Sequence, residues 1–229
     1  MKARLELAVI GTDTGVGKTR VTGMLARGLR QHARRVWIHK PVACGGWSGG
    51  TAEDARALAL VVGDGQDPST VCPLQFPEAA SPHLAAAAAG AEVTLERLRA
   101  HLTRCRGPHD LVMEGVGGLL VPLTTTRATI VDLLVNTGIA CVVVTRPDLG
   151  TLNHTALTVE ALRRRGLQVL GLVLNHHRPH AGPPSLAMIH AERELGAITG
   201  LPILAVLPHD PDGGSDELAR ALGQAVLAT

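Results

Sequence analysis

The 229-residue chain is poorest in aromatic side chains: two tryptophans, one phenylalanine and no tyrosine, about 1% of the whole. Leu, Val, Ile and Ala must therefore fill any core. A base-stacking nucleic-acid module needs aromatic platforms and is excluded. Long basic runs are also missing. Net charge is only +2, and the densest basic cluster, Arg163 to Arg165, reads as a solvated helix end. No stretch reaches the ~18 uninterrupted apolar residues of a membrane helix. The N-terminal apolar run, Leu5–Ile10, is too short for a signal segment and leads straight into a glycine loop. The four cysteines (Cys44, Cys72, Cys105 and Cys141) show neither CxxC nor zinc spacing. These absences predict a cytoplasmic protein with free thiols and with no nucleic-acid or membrane partner.

What remains is 45% hydrophobic and 18% charged, ordinary for an α/β protein and enough to bury one core, so residues 1–229 read as a single domain. Apolar runs predict strands at Leu5–Ile10, Val36–His39, Leu111–Met113, Ala140–Thr145, Val169–Leu174 and Ile203–Val206. Helical patterns lie between them, at Lys18–Gln31, Thr51–Val62, Ser81–Ala89, Thr94–Cys105, Thr129–Asn136, Asn153–Arg165, Ser185–Thr199 and Ser215–Leu227. Gly138 and Gly166 read as helix stops. The Gly/Pro-rich stretches Cys44–Gly50 and Arg178–Pro184 read as mobile loops within the domain, and no internal repeat occurs. The alternation implies a mainly parallel sheet with helices on both faces. Ligands in such sheets sit beyond the C-terminal strand ends.

The first strand end carries Gly11-Thr12-Asp13-Thr14-Gly15-Val16-Gly17-Lys18-Thr19, followed by a helix. Glycines let successive N–H groups point at an anion, and the helix N-terminus adds partial positive charge. Thr14, Gly15, Val16 and Gly17 would wrap the phosphates. Lys18 would reach the β- and γ-phosphates, and the Thr19 hydroxyl would ligate Mg²⁺. The usual pattern has glycine six residues before the lysine. Here Thr12 stands there and Gly11 comes one place earlier, so the loop is one residue longer. These features predict an ATP-using enzyme with a P-loop NTPase fold. Partitioning-type ATPases carry an extra loop lysine at the position of Asp13, which weighs against a switch function.

Three more strand-end residues suit the same site. Glu114 ends an apolar strand, where a carboxylate is costly without a cation facing it. Asp54 opens a helix after a glycine-rich loop, and Mg²⁺ on nucleotide phosphates takes one or two carboxylates. Lys40, at the end of a buried strand, suits a transferring phosphoryl group. The histidines of Asn175-His176-His177 and Pro179-His180 lack carboxylates or cysteines at ligand spacing and read as a polar loop. Asp210–Gly213 reads as a turn rather than a metal loop.

Five blocks together resemble the dethiobiotin synthetase family: the Gly11–Thr19 loop, His39-Lys40-Pro41-Val42, Ser81-Pro82-His83, Glu114-Gly115-Val116-Gly117-Gly118, and Leu149-Gly150-Thr151-Leu152-Asn153-His154. The likeness spans about residues 5–210. It implies a homodimer that builds a cyclic urea from 7,8-diaminononanoate, CO₂ (from bicarbonate) and MgATP, through a carbamate and a carbamic–phosphoric anhydride. It further implies that Thr19, Asp54 and Glu114 ligate Mg²⁺, and that Thr14, Lys40 and Gly118 touch the carbamate or diamine. Gly150, Thr151, Leu152 and Asn153 would take the substrate carboxylate from across the dimer. Asn175, Pro208 and His209 would hold adenine. The chain departs from many members at Cys44, where they carry serine near the diamine, and from some at Gly15, where they carry glutamate. Two rivals share this fold. One is the synthetase half of a cobyrinic or cobyric acid amidotransferase, which would need a glutaminase domain beyond Thr229. The other is a non-synthetic ATPase switch.

Overall fold

The computed structural model describes residues 4–62, 65–179, 182–210 and 214–229. In chain order the elements begin with β1 (Glu6–Gly11), α1 (Lys18–Gln31), β2 (Val36–His39), β3 (Ala43–Cys44), β4 (Trp47–Ser48) and β5 (Thr51–Ala52). They continue with α2 (Glu53–Val62), α3 (Pro68–Val71), β6 (Gln75–Phe76), α4 (Pro82–Ala88), α5 (Leu95–Cys105), β7 (Asp110–Glu114) and α6 (Ile130–Leu134). The last are β8 (Ala140–Thr145), α7 (Thr151–Arg164), β9 (Val169–Asn175), α8 (Leu186–Thr199), β10 (Ile203–Leu207) and α9 (Asp216–Leu227).

Six strands form one sheet in the order β10-β9-β8-β1-β7-β2, and every pairing in it is parallel. Alternation along β1 divides the core. Leu7 and Val9 pack with Val21 and Leu25 of α1, Leu58 of α2 and Leu222 of α9. Ala8 and Ile10 face the opposite layer, with Leu98 of α5, Leu133 of α6, Leu162 of α7 and Leu195 of α8. Burying both faces explains the unbroken apolar character of β1 and β8. The sheet splits at β1, with β7 and β2 on one side and β8, β9 and β10 on the other. That switch point opens a crevice at the C-terminal end of β1.

The main strands and most helices follow the sequence pattern, and the differences have local causes. Thr51–Ala52, predicted as the start of a helix, pairs antiparallel with Trp47–Ser48, and the helix begins at Glu53. Cys44–Gly50, predicted as a mobile loop, instead runs from the end of β3, which pairs with β6, through β4 and the turn of the β4–β5 hairpin. Gly45, Gly46, Gly49 and Gly50 all take left-handed φ, which makes these tight reversals possible. α6 ends at Leu134 because Val135 is extended (φ −54°, ψ 134°) and Asn136 is left-handed (φ 64°). α7 begins at Thr151 rather than Asn153, since left-handed Gly150 (φ 94°) turns the chain into the helix earlier. The residues predicted as the Arg178–Pro184 loop and the Asp210–Gly213 turn, like Met1–Ala3, lie partly or wholly outside the described ones.

The last helix closes on the first. A Cβ on Gly28 of α1 would overlap the carbonyl oxygen of Ala219, and one on Gly223 of α9 would come within 2.7 Å of the Gly28 carbonyl carbon. Both glycines are therefore needed for α1 and α9 to lie backbone to backbone.

His39, at the C-terminal end of β2, has no exposed surface. Burial, with nearby His101 adding to it and the Val71 carbonyl opposing, depresses its pKa to about 3. Below the ordinary imidazole value of about 6.5 the unfolded chain takes up a proton that the fold refuses. His39 thus contributes stability that is present above that value and is lost progressively as pH falls from there toward about 3. We expect the unfolding free energy from urea titrations to drop between pH 6.5 and 5, by up to about 1.4 kcal/mol per pH unit from this residue. His39→Leu should flatten that slope, and an unchanged slope would assign the acid sensitivity elsewhere.

Candidate active site

The loop after β1 is shaped by close contacts that only glycine allows. A Cβ on Gly11 would come within 2.9 Å of both Cδ and Nζ of Lys18, so glycine here lets the lysine fold back across the loop. Lys18 Nζ donates to the Asp13 carbonyl at 2.9 Å. This explains how the lengthened loop tolerates Thr12 at the usual glycine position, since the close approach falls on Gly11. Gly17 caps α1 with φ 91°, and its Cβ would overlap the Asn175 amide. Asn175 is fully buried at the end of β9, and its Nδ2 donates to the Val16 carbonyl at 2.8 Å.

β2 and β7 bring Lys40 and Glu114 to the same sheet end, and α2 presents Asp54 across from them. Lys40 Nζ donates to Asp54 Oδ2 and to Glu114 Oε1, both at 2.6 Å. The Thr19 hydroxyl contacts the same two carboxylates, at 3.0 Å to Asp54 Oδ1 and 2.9 Å to Glu114 Oε1. Glu114 is wholly buried and Lys40 nearly so, while the Asp54 side chain is half exposed. Burial pushes the Lys40 pKa down, but Glu114 and then Asp54 outweigh it, so the ammonium is held protonated and its pKa lies above the ordinary value. Burial pushes the Asp54 pKa up, but Lys40, the Thr19 hydroxyl and Lys18 together outweigh it and hold the carboxyl below the usual range. Lys18 is pulled down to about 8 by burial, with Glu114 opposing.

A cavity of 690 Å³ opens over this cluster. Thr14, Gly15, Gly17, Lys18, Thr19, Lys40, Cys44, Asp54 and Glu114 all line it. Nine of the residues singled out from sequence thus share one wall. The Cys44 thiol, pushed up to about 11 by burial against the opposing effect of Lys40, stays protonated there. Ser81 and Pro82 complete the lining with Val42, Val116, Gly117 and Val121.

The remaining sequence-selected residues lie elsewhere. Val16 is buried within the loop. Gly118 borders a second cavity of 460 Å³ with Thr12, Asp13, Leu120, His154 and Leu157. Gly150, Leu152 and Asn153 are exposed at the start of α7, outside both cavities. Thr151 is turned inward, its hydroxyl 2.8 Å from that of Thr145 and its N–H bonded to the Asp148 carbonyl. Pro208 and His209 line a separate cavity of 390 Å³ with His176, Arg178 and Val206. Arg20 is the residue that sequence reading passed over. Its Nη1 joins Asn175 Oδ1 at 2.8 Å to the Pro208 carbonyl at 2.9 Å, tying the helix behind the loop to the ends of β9 and β10. Nothing in its spacing marks it, because both partners are more than 150 residues away.

The donor set also fits a hard divalent cation. Thr19, Asp54 and Glu114 offer oxygen ligands only, and Glu114 Oε2 is buried with no hydrogen-bond partner. Among the described residues no three His, Cys, Asp or Glu side chains form a metal cluster. Phosphate oxygens and water would have to complete the shell, which is how Mg²⁺ is commonly held.

A family described as AAA domain matches residues 6–216. An ATP-dependent dethiobiotin synthetase BioD of Anaeromyxobacter dehalogenans (strain 2CP-C) is 43% identical over 97% of this chain and 97% of its own length. One from Mycobacterium avium (strain 104) is 40% identical over 97% and 93%. Among solved structures, the MinD cell division protein of Aquifex aeolicus superposes with a TM-score of 0.60 at 11% identity, covering 99% of this chain and 98% of that one. The septum site-determining protein MinD of Pyrococcus horikoshii, complexed with Mg-ADP, gives 0.52 at 19% identity over 98% and 93%. At these identities the structural likeness speaks for the P-loop fold alone.

Gly17→Ala tests the loop geometry. It combines a left-handed φ with overlap on Asn175, a strain of about 1–3 kcal/mol. That strain opposes the phosphate-binding conformation, so we expect affinity for a fluorescent nucleotide to fall about 5- to 150-fold, since 1.4 kcal/mol is a factor of ten. Wild-type affinity would mean that the loop is not constrained at this residue.

Proposed function

The chain belongs to the family of ATP-dependent dethiobiotin synthetases, and on that premise we propose how its 690 Å³ cavity carries out the ring closure. The family's reaction is a ligation: 7,8-diaminononanoate, CO₂ and ATP give the cyclic urea of dethiobiotin with ADP and phosphate. One amine adds to CO₂ and loses a proton, giving a carbamate. The carbamate oxygen attacks the γ-phosphorus and ADP leaves. The second amine then attacks the carbamoyl carbon of the mixed anhydride, and phosphate departs as the ring closes.

One observation carries the assignment of residues: Lys18, Lys40, Thr19, Asp54 and Glu114 converge on a single cavity. A carbamate is a weak anionic nucleophile, and it must approach a polyanion. Two ammoniums in a largely buried pocket offset that repulsion and stabilise the charge that builds on the transferring group. In this reading Lys18 binds the β- and γ-phosphates, and the N–H groups of Thr14 to Gly17 wrap them. Lys40 lies between phosphate and carbamate, with Thr14 and Gly118 near the diamine and Cys44 at its side. Thr19, Asp54 and Glu114 would hold Mg²⁺, which supplies charge neutralisation of the phosphates when bound. Asn175, Pro208 and His209 form the adenine end, with Asn175 steadied by Arg20.

The far carboxylate of the substrate needs a second anion site. The first turn of α7 offers one at Leu152 and Asn153, whose N–H groups have no earlier helical carbonyl to bond. A symmetric dimer would bring this turn to a partner's cavity. Exposed leucines suit that contact: Leu149 and Leu152 at the start of α7, and Leu120 and Leu157 beside the second cavity. We place the enzyme in the cytoplasm, which suits its four free thiols. Neither rival is favoured. The relatives named as synthetases align over nearly their whole length, and the MinD likeness is one of fold.

ADP release measured with a coupling enzyme should require both the diamine and bicarbonate. Lys18→Ala should lower kcat by about 10³ or more while the protein stays folded. ATP turnover without the diamine would instead favour a switch. Asn153→Asp keeps size and adds a negative charge at the start of α7. It should raise the diamine KM about two- to fivefold and leave the ATP KM unchanged. A diamine KM that does not move, or full activity from a monomer in sedimentation, would remove the cross-subunit site.

A further inference from the structure

We infer that Lys40 has a second, positioning role: without ligands its ammonium holds the oxygens that the divalent cation would take, so that metal and nucleotide bind as a coupled pair. The inference rests on the metal reading above. Lys40 Nζ sits 2.6 Å from one oxygen of Asp54 and 2.6 Å from one of Glu114. The Thr19 hydroxyl bonds to these same two carboxylates. All three side chains that would ligate the metal are therefore already gathered, and the cation gathering them is Lys40.

Charge makes the exchange obligatory. Two carboxylates, Asp54 and Glu114, face two ammoniums, Lys40 and Lys18, so the formal charges of the four groups cancel. A divalent cation arriving alone would put two extra positive charges into a pocket where Lys40 and Glu114 have almost no contact with water. Uncompensated charge in such a place is costly. The metal can bind well only if Lys40 lets go, and Lys40 needs another anion to hold. It lines the same cavity as Lys18, where the terminal phosphates would lie, so the nucleotide supplies that anion. Glu114 retains an unpartnered buried oxygen, Oε2, so Lys40 meets only part of its bonding capacity. Once Lys40 has moved to the nucleotide, both oxygens of Glu114 are open to the metal or to a metal-bound water. By linkage, whatever nucleotide does for metal affinity, metal does equally for nucleotide affinity.

The test reads metal binding directly. Mn²⁺, an Mg²⁺ surrogate, is titrated into the protein and the free ion followed by electron paramagnetic resonance, with and without a non-hydrolysable ATP analogue. Without nucleotide, Lys40→Met should bind Mn²⁺ at least about tenfold more tightly than wild type, because a competing unit charge within a few ångströms is gone. Lys40→Arg keeps the charge and should stay as weak as wild type. Adding the analogue should strengthen Mn²⁺ binding far more in wild type than in Lys40→Met. If Lys40→Met is too unstable, Lys40→Gln keeps a donor without charge and carries the same expectation. Equal or weaker Mn²⁺ binding by the neutral variants without nucleotide would overturn the exchange, while the metal site itself would stand. Absence of Mn²⁺ binding in every protein even with the analogue would overturn both.

Discussion

Two carboxylates and two ammoniums at the C-terminal edge of a parallel sheet set the terms for the rest of the structure. Glu114 and Lys40, 2.6 Å apart and almost out of reach of water, are stable there only if every partner stays in place. Lys40 and Glu114 are fixed by strands β2 and β7, which are hydrogen-bonded neighbours in register, His39 against Met113. Asp54 comes from the first turn of α2, where the positive end of the helix also favours a carboxylate. The hairpin of β4 and β5 delivers that helix start to the cavity. The small pair β3–β6 seats Cys44 beside it. Parts of the fold that look like ornament on the main sheet are thus what brings the half-exposed acid to the buried base.

The phosphate loop answers to a different constraint. Its backbone must approach side chains closely at both ends: Lys18 at Gly11 and Asn175 at Gly17. Asn175 in turn belongs to a strand two places away from β1 in the sheet, with β8 between them. Arg20 completes the chain of contacts as far as Pro208. The loop is therefore held from outside by groups distant in sequence, and it is pre-shaped before any phosphate arrives.

Much of this was legible in the residues, and the reason differs by element. Buried strands such as Ala140–Thr145 announce themselves because a parallel sheet covered on both faces needs unbroken apolar runs. Lys18 could be picked out from the glycine loop it ends, Asp54 from its place at a helix start after a glycine-rich loop, and Lys40 and Glu114 because they close buried strands, where a charge is costly without a partner or a ligand. Sequence could not show that Lys40 would bridge both acids, since that depends on β2 and β7 being neighbours across 74 residues. The β4–β5 hairpin was hidden because glycines at left-handed φ look like loop when read alone. Sequence could not show that the Thr151 hydroxyl joins a buried cluster with Thr145 and Thr155. Arg20 gave no signal, because a long-range tie leaves no periodicity.

The backbone-to-backbone seating of α1 against α9 has a bearing on how the protein comes into being on the ribosome. Synthesis delivers the helix that carries Lys18 and Thr19 first and its partner, Asp216–Leu227, last. Until then the open groove at Gly28, and the part of α1 that the last helix covers, have no helix to lie against. A nascent chain can lay down β1 and α1 early, but it leaves an apolar stripe exposed for nearly the whole of translation, a surface that chaperones recognise. That stripe disappears only when Asp216–Leu227 docks against the first helix.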